Sequence, residues 1–288
     1  MSGRFAGLAV LGCCMAAGSA VRGGDERFEY TSKHMGTTFR VVLYAADKGS
    51  GEAAAKAVFA RAAELDAALS DYSADSELMR LCRANDAAPG KLVPVGRDLF
   101  AVLAQARAAS EASDGAFDCT VGPYVRLWRL ARRTQVLPDA KELADAGTKV
   151  GWDKVTLDAA ARTVALKVPG MRLDLGGIAK GYAADEGLLV LKGLGVSRAL
   201  VAASGDVAVS DPPPGKDAWD VEVAPLSPGR PPRTLTLANA AVSTSGDLFQ
   251  FVEIGGVRYS HVLDPATGLG LTGRRSVTVV APTGTQAD

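Results

Sequence analysis

Two short stretches hold residue types suited to anion and metal chemistry: Asp174-Leu-Gly-Gly-Ile-Ala-Lys-Gly181 and Ser260-His-Val-Leu-Asp-Pro-Ala-Thr-Gly268. The first has the order of a strand ending in Asp174, a glycine turn and a helix start. Backbone in such a turn approaches a ligand closely, and helix N-terminal N–H groups together with the Lys180 ammonium favour anionic oxygens. It matches neither Gly-x-x-x-x-Gly-Lys-Ser/Thr nor Gly-x-Gly-x-x-Gly, so alone it also reads as a plain strand-to-helix turn with an exposed lysine. The second stretch holds His261, one of two histidines in 288 residues. Its Asp-Pro and Thr-Gly pairs signal a turn after an apparent strand Val257–Ser260. A histidine there is a general base near neutral pH or a hydrogen-bonded structural residue. Val242-Ser-Thr-Ser-Gly246 lacks a Gly-x-Ser-x-Gly elbow, and its Ser245-Gly246 reads as a turn.

The elements that must position these residues alternate between strand and helix patterns without internal repeats. Phe39–Tyr44 is rich in β-branched and aromatic residues and reads as a strand. Val58, Ala62, Leu65 and Leu69 recur at helical spacing within Glu52–Leu69, as do Leu99, Val102, Leu103 and Ala106 within Asp98–Ser113 before the Asp114-Gly115 stop. Lys154–Asp158 and Arg162–Val168 flank a short turn and suggest a hairpin, and a helix is expected from about Ile178 to Leu191. Further strands are expected at Ala199–Ala203, Trp219–Val223, Arg233–Leu237 and Ser276–Val280, with proline-rich loops at Asp211–Lys216 and Pro225–Pro232. Hairpins outnumber strand-helix-strand units, so the expected class is α+β with mainly antiparallel sheets and packed helices.

A chain that is 48% hydrophobic buries a full core. Lys+Arg 32 balance Asp+Glu 32, leaving no basic field for a nucleic-acid backbone, so no nucleic-acid partner is expected. Residues 1–20 read as a leader: Arg4 gives a positive end, Phe5–Met15 an apolar run too short to span a membrane, and Ala16–Ala20 a small-residue region. Val10-Leu-Gly-Cys13 fits a bacterial lipobox, in which Cys13 is lipidated; cleavage after Ala20 is the alternative. Cys82 and Cys119 remain in the folded part, without metal-ligand spacing, and read as two unpaired, buried thiols, with one disulfide in an oxidising compartment as the alternative.

His34-Met-Gly-Thr37, Leu69-Ser-Asp-Tyr72, Gly115-Ala-Phe-Asp118 with Thr120-Val-Gly-Pro123, Asp174–Gly181, Ser204-Gly-Asp206, Ser243-Thr-Ser-Gly246 and His261–Gly268 together resemble the ordered signatures of the ApbE family, the FAD:protein FMN transferases. The resemblance spans one domain, residues 25–288, and implies an ApbE-like α+β fold. It implies Mg2+-dependent transfer of FMN from FAD to a threonine of an acceptor protein, a redox subunit, with AMP leaving. FAD contacts then fall to Met35, Tyr72, Ala116, Phe117, Asp118, Asp174, Lys180 and Val262, metal ligation to the Gly177 carbonyl and the Asp288 carboxylate, and the base to His261. Cys119 stands where the family has proline, and Ser204 where it has glycine. The family's metal-binding threonine four residues beyond the aspartate lies past Asp288. Hydrolysis of FAD to FMN and AMP, or FAD binding without catalysis, are the alternative readings. The leader implies a periplasmic or cell-envelope location, with a lipid anchor to the membrane.

Overall fold

The computed structural model describes residues 25–225, 229, 231–246 and 250–288, so the leader with Cys13 lies outside the described residues. In chain order its first half comprises β1 (Glu26–His34), β2 (Thr37–Ala45), α1 (Lys48–Leu69), α2 (Glu77–Ala87), β3 (Val93–Pro94), α3 (Arg97–Ala112), α4 (Gly122–Thr134) and α5 (Ala140–Gly147). There follow β4 (Val155–Asp158), β5 (Thr163–Leu166), α6 (Ala179–Gly193), β6 (Ala199–Ala203), β7 (Asp206–Val209), β8 (Trp219–Val223) and β9 (Arg233–Leu237). The last elements are β10 (Ala240–Gly246), β11 (Phe251–Ile254), β12 (Val257–Leu263), β13 (Gly270–Thr272), β14 (Ser276–Ala281) and α7 (Gly284–Ala287).

Side-chain alternation explains the layers. Successive strand residues point to opposite faces, so a strand buried on both sides is apolar throughout. β6 is such a strand, and it lies inside a six-stranded antiparallel sheet ordered β1-β2-β6-β7-β10-β14. Val41, Leu43, Ala199, Val201 and Ala208 face a cluster with Ala54, Ala55 and Val58 of α1 and Ala184 and Leu191 of α6. Their neighbours Val42, Leu200, Ala202, Val207 and Val242 face Trp219, Val221 and Leu237 of the β8–β9 ribbon. A further core joins α1, α2 and α3 to the β3-β5-β4 sheet through Leu65, Leu81, Leu103 and Leu166. Against α4, Trp128 and Ala131 bury Val252 of the β11-β12-β13 sheet.

The expected α+β class, the β4–β5 hairpin and the helices α1, α3 and α6 are all present. Three local expectations are corrected. Asp174 does not end a strand: Met171–Leu175 belongs to no strand, and the Asp174 N–H is taken by the Cys119 carbonyl at 2.8 Å. Ser245 and Gly246 are not a turn, because they pair with Val277 and Ser276 at the end of β10. His261 sits inside β12 rather than beyond it, since Leu263 still pairs with Gly270 and the turn begins at Asp264, whose side chain accepts from the Ala266 N–H. Cys82 and Cys119 are free and buried, as expected.

Candidate active site

One cavity of about 2040 Å³ collects all eleven residues singled out in the sequence: Met35, Tyr72, Ala116, Phe117, Asp118, Asp174, Gly177, Lys180, His261, Val262 and Asp288. A drug-sized ligand needs about 300–1,000 Å³, so this volume suits a dinucleotide with room for a second reactant.

At its floor, the α6 N-terminus and α7 meet through glycine. A Cβ on Gly181 would lie 2.1 Å from the Gly284 carbonyl oxygen, so only glycine permits this approach. Asp185 locks α7 by accepting from the Gly284 and Thr285 N–H groups at 2.6 and 2.8 Å. Asp288 is thereby set over the first turn of α6, where its carboxylate accepts from the Gly181 N–H at 3.0 Å. Lys180 lies between two carboxylates, with Nζ 3.0 Å from Asp206 and 3.2 Å from Asp288, and it also donates to the Gly176 carbonyl at 2.8 Å. Ser243 donates to Asp206 from behind. Burial alone would lower the Lys180 pKa, but attraction to Asp288 and Asp206 outweighs it and holds the ammonium above its ordinary value. Burial raises Asp288, with repulsion from Asp206 adding to it against the pull of Lys180.

Two carboxylates sharing one ammonium leave a surplus of negative charge among oxygen donors, which fits a hard divalent cation. Among the described residues no three His, Cys, Asp or Glu side chains form a metal cluster, so backbone carbonyls such as that of Gly177 and water would complete the shell, as Mg2+ accepts.

His261, on β12, lines the same cavity. Its Nδ1 lies 3.0 Å from the Gln250 carbonyl oxygen, which has no proton to give; Nδ1 therefore carries the hydrogen and Nε2 keeps its lone pair. Although the ring faces open cavity, the enclosing walls thin its hydration. That burial, with the charges of Arg132 and Lys180, lowers its pKa against the opposing effects of the Gln250 hydrogen bond and Asp174.

Above them Arg129 of α4 ties three groups together. Its guanidinium lies 2.6 Å from Asp71 and 3.4 Å from Asp174, and its carbon is 4.0 Å from the Tyr72 ring centroid. Tyr72 is 82% exposed, a large ring held by its underside and open above. Burial raises the Asp71 pKa, repulsion from Asp174 adds to this, and Arg129 opposes it. Asp174 also accepts from the Gly176 N–H at 2.8 Å, fixing the glycine turn.

The remaining candidates line the rim. Met35 occupies a hairpin turn with φ 50° beside Gly36 at φ 68°, the paired left-handed geometry of a tight β-hairpin. Ala116 and Phe117 follow the end of α3, and a Cβ on Gly177 would come 3.3 Å from the Phe117 ring. Asp118 caps the 3-10 turn Cys119–Val121 by accepting from the Thr120 N–H at 2.7 Å, although burial raises its pKa. Val262 follows His261 on β12 and is partly exposed to the cavity.

Sequence reasoning missed Asp71, Arg129, Arg132 and Asp206 as site residues. Asp71 and Asp206 lay within quoted motifs, a usable signal. The α4 arginines look like ordinary helical charges until packing shows which face they occupy.

Residues 35–288 match the family model described as ApbE family. The FAD:protein FMN transferase of Treponema pallidum (strain Nichols) is 33% identical over 295 residues, covering 96% of this chain and 81% of the relative. That of Escherichia coli (strain K12) is 30% identical over 291 residues, covering 98% and 82%. The apo crystal structure of Pseudomonas stutzeri flavinyl transferase ApbE superposes with a TM-score of 0.79 at 30% identity, covering 92% of this chain and 82% of that one. Flavin transferase ApbE from Vibrio cholerae gives a TM-score of 0.80 at 27% identity, with 91% and 84% covered.

Proposed function

This chain belongs to the ApbE family and transfers FMN from FAD to protein; we propose that the acceptor group is a threonine hydroxyl, that Mg2+ assists, and that His261 is the base. The observation carrying this reading is the placement of a histidine with a fixed Nδ1–H tautomer in the same cavity as a lysine flanked by two buried carboxylates.

The chemistry follows from charge and proton balance. The acceptor hydroxyl oxygen bonds to the FMN phosphorus while the bond from that phosphorus to the bridging oxygen breaks, its electron pair leaving with AMP. The hydroxyl proton passes to His261 Nε2. Tyr72 offers an open aromatic face for a flavin or adenine ring, and Asp174 and Asp118 offer carboxylate acceptors to ligand N–H and O–H groups. Met35, Ala116, Phe117 and Val262 supply apolar contact. Asp288 and the Gly177 carbonyl, with Asp206 adjacent, would hold Mg2+, which when bound supplies charge neutralisation at the diphosphate. Lys180 holds the two carboxylates in register and meets a phosphate only in company with them.

The test is incubation with FAD, Mg2+ and a threonine-bearing acceptor domain, following AMP release and flavin fluorescence that survives denaturing electrophoresis. Fluorescent acceptor with AMP supports transfer. AMP without bound flavin selects hydrolysis, and binding without AMP selects a non-catalytic flavin binder.

Arg4, the apolar run and Cys13 support an exported, lipid-anchored protein; we propose redox subunits of the cell envelope as its acceptors. Loss of fatty-acid labelling and of membrane association in Cys13→Ser is the outcome expected.

A further inference from the structure

We propose that Arg132 is a further catalytic residue, whose guanidinium binds phosphate oxygens of the FAD diphosphate beside His261 and neutralises charge as AMP leaves. The inference rests on the FMN-transfer reading and adds a residue to it.

The first argument is placement. Val125, Trp128, Arg129 and Arg132 all line the cavity, at helical spacings of three and four that put them on one face of α4. That face is clamped to the sheet carrying His261: the Trp128 ring lies 5.1 Å from the Tyr259 ring, and its Nε1 donates to the Gly268 carbonyl at 2.7 Å. Arg132 follows one turn after Trp128 and lines the same cavity as His261. Its charge is felt there, since it is among the influences that lower the His261 pKa.

The second argument is charge. Four cations line the cavity among the described residues: Arg40, Arg129, Arg132 and Lys180. Lys180 is shared by Asp206 and Asp288, Arg129 by Asp71 and Asp174, and Arg40 approaches Glu29 at 3.7 Å. Arg132 alone of the four has no carboxylate partner among the described residues. A diphosphate brings two negative charges into a cavity whose other cations are already matched or outnumbered by carboxylates. An uncommitted planar guanidinium, with paired donors matching two phosphate oxygens, is the group suited to receive it. As the new oxygen–phosphorus bond forms and the bridging oxygen departs with its electron pair, the negative charge moves onto AMP; a guanidinium lining the cavity supplies a cation where that charge develops.

The test compares R132A and R132K with the unaltered chain, measuring kcat and KM for FAD, AMP release, equilibrium FAD binding and the pH dependence of kcat/KM. R132A should lower kcat by about 10²-fold, the scale for loss of one donor to a developing charge. R132K, which keeps the charge but loses the planar fork, should recover part of that rate. Removing the cation should also move the acid limb of the profile to higher pH, and R132K should move it back; Lys180 on α6, Asp174 before it and the Gln250 carbonyl also act on His261 and stay unchanged across the series. A kcat within twofold in R132A overturns the proposal. So does a rate loss with the acid limb unmoved and no recovery in R132K, which would mark Arg132 as structural. If the unaltered chain forms AMP but never labels an acceptor, the transfer reading fails instead, and the same comparison on AMP release still decides whether Arg132 acts at the diphosphate.

Discussion

Lys180 and Asp288 lie 108 residues apart in the chain and meet with Nζ 3.2 Å from Oδ1. The contact depends on Gly181 and Gly284 letting α7 rest on the first turn of α6. One small helix junction thereby assembles both the ammonium and a buried carboxylate at the cavity floor. Asp206 completes the group from the first position of β7.

Replacing Lys180 by alanine leaves two carboxylate side chains, 5% and 3% exposed, facing each other without a counter-ion. Removal of one partner from a buried ionic group costs roughly 3 kcal/mol, less where water reaches the site. In EDTA the Lys180→Ala variant should therefore melt well below the parent chain. Because its carboxylates are then free for a cation, millimolar Mg2+ should raise its melting temperature more than it raises that of the parent. Equal Mg2+ responses in calorimetry would remove these carboxylates from the metal site.

His261→Ala should leave FAD affinity unchanged while transfer falls by roughly 10²–10⁴-fold, the range for losing a general base. The unaltered enzyme should show a matching acid limb. A base works only when neutral, and burial lowers the His261 pKa, so kcat/KM should hold at its plateau to a pH below the ordinary histidine value of about 6.5 before falling. A pH–rate profile with its acid limb above that value, or transfer by His261→Ala at the parental rate, would take His261 out of the mechanism.

How far the sequence reached depended on how local each signal was. The expected strand Ala199–Ala203 is present and buried on both faces, and the hairpin through Asp158 and Thr163 showed both flanks within one short window. The strand reading misled at Asp174, because Met171, Leu173 and Leu175 are buried in turn with no strand paired to them among the described residues; the Cys119 carbonyl takes the Asp174 N–H instead. It fell short at His261 because the pairing of Leu263 with Gly270 extends β12 through residues whose composition signals a turn. In the site, contiguous motifs delivered residues that do share one cavity. Pairs such as Arg129 and Asp174, 45 residues apart, have no periodicity to reveal them and appear only when α4 docks.

Tyr72 and Arg129 separate ring stacking from charge. Tyr72→Ala removes the open aromatic face, and aromatic contacts are worth about 0.5–1.5 kcal/mol beyond area burial. FAD should bind up to about tenfold more weakly, with less quenching of flavin fluorescence on binding. Arg129→Met leaves Tyr72 in place but releases Asp71 and Asp174 from their shared cation. It should weaken FAD binding most at high pH, where Asp71, held up by burial, loses its proton and repels Asp174 without the cation between them. Fluorescence titrations across pH test both, and a flavin signal indifferent to Tyr72 would place the ring system elsewhere in the cavity.

Gly181→Ala probes whether the α6–α7 junction controls chemistry or only packing. The added methyl meets the Gly284 carbonyl oxygen at 2.1 Å and the Asp288 Cβ at 2.8 Å, so α7 must shift and take the carboxylate with it. Overpacking of this kind costs about 1–3 kcal/mol. If the junction served stability alone, the variant would melt earlier yet respond to Mg2+ as the parent does at temperatures where it is folded. If Asp288 must sit beside Lys180 to receive the cation, a folded Gly181→Ala should need about tenfold more Mg2+ for half-maximal AMP release while FAD affinity in EDTA stays unchanged. Measuring that half-saturation well below the melting temperature distinguishes the two, because α7 carries Asp288 but none of the groups proposed to hold the flavin.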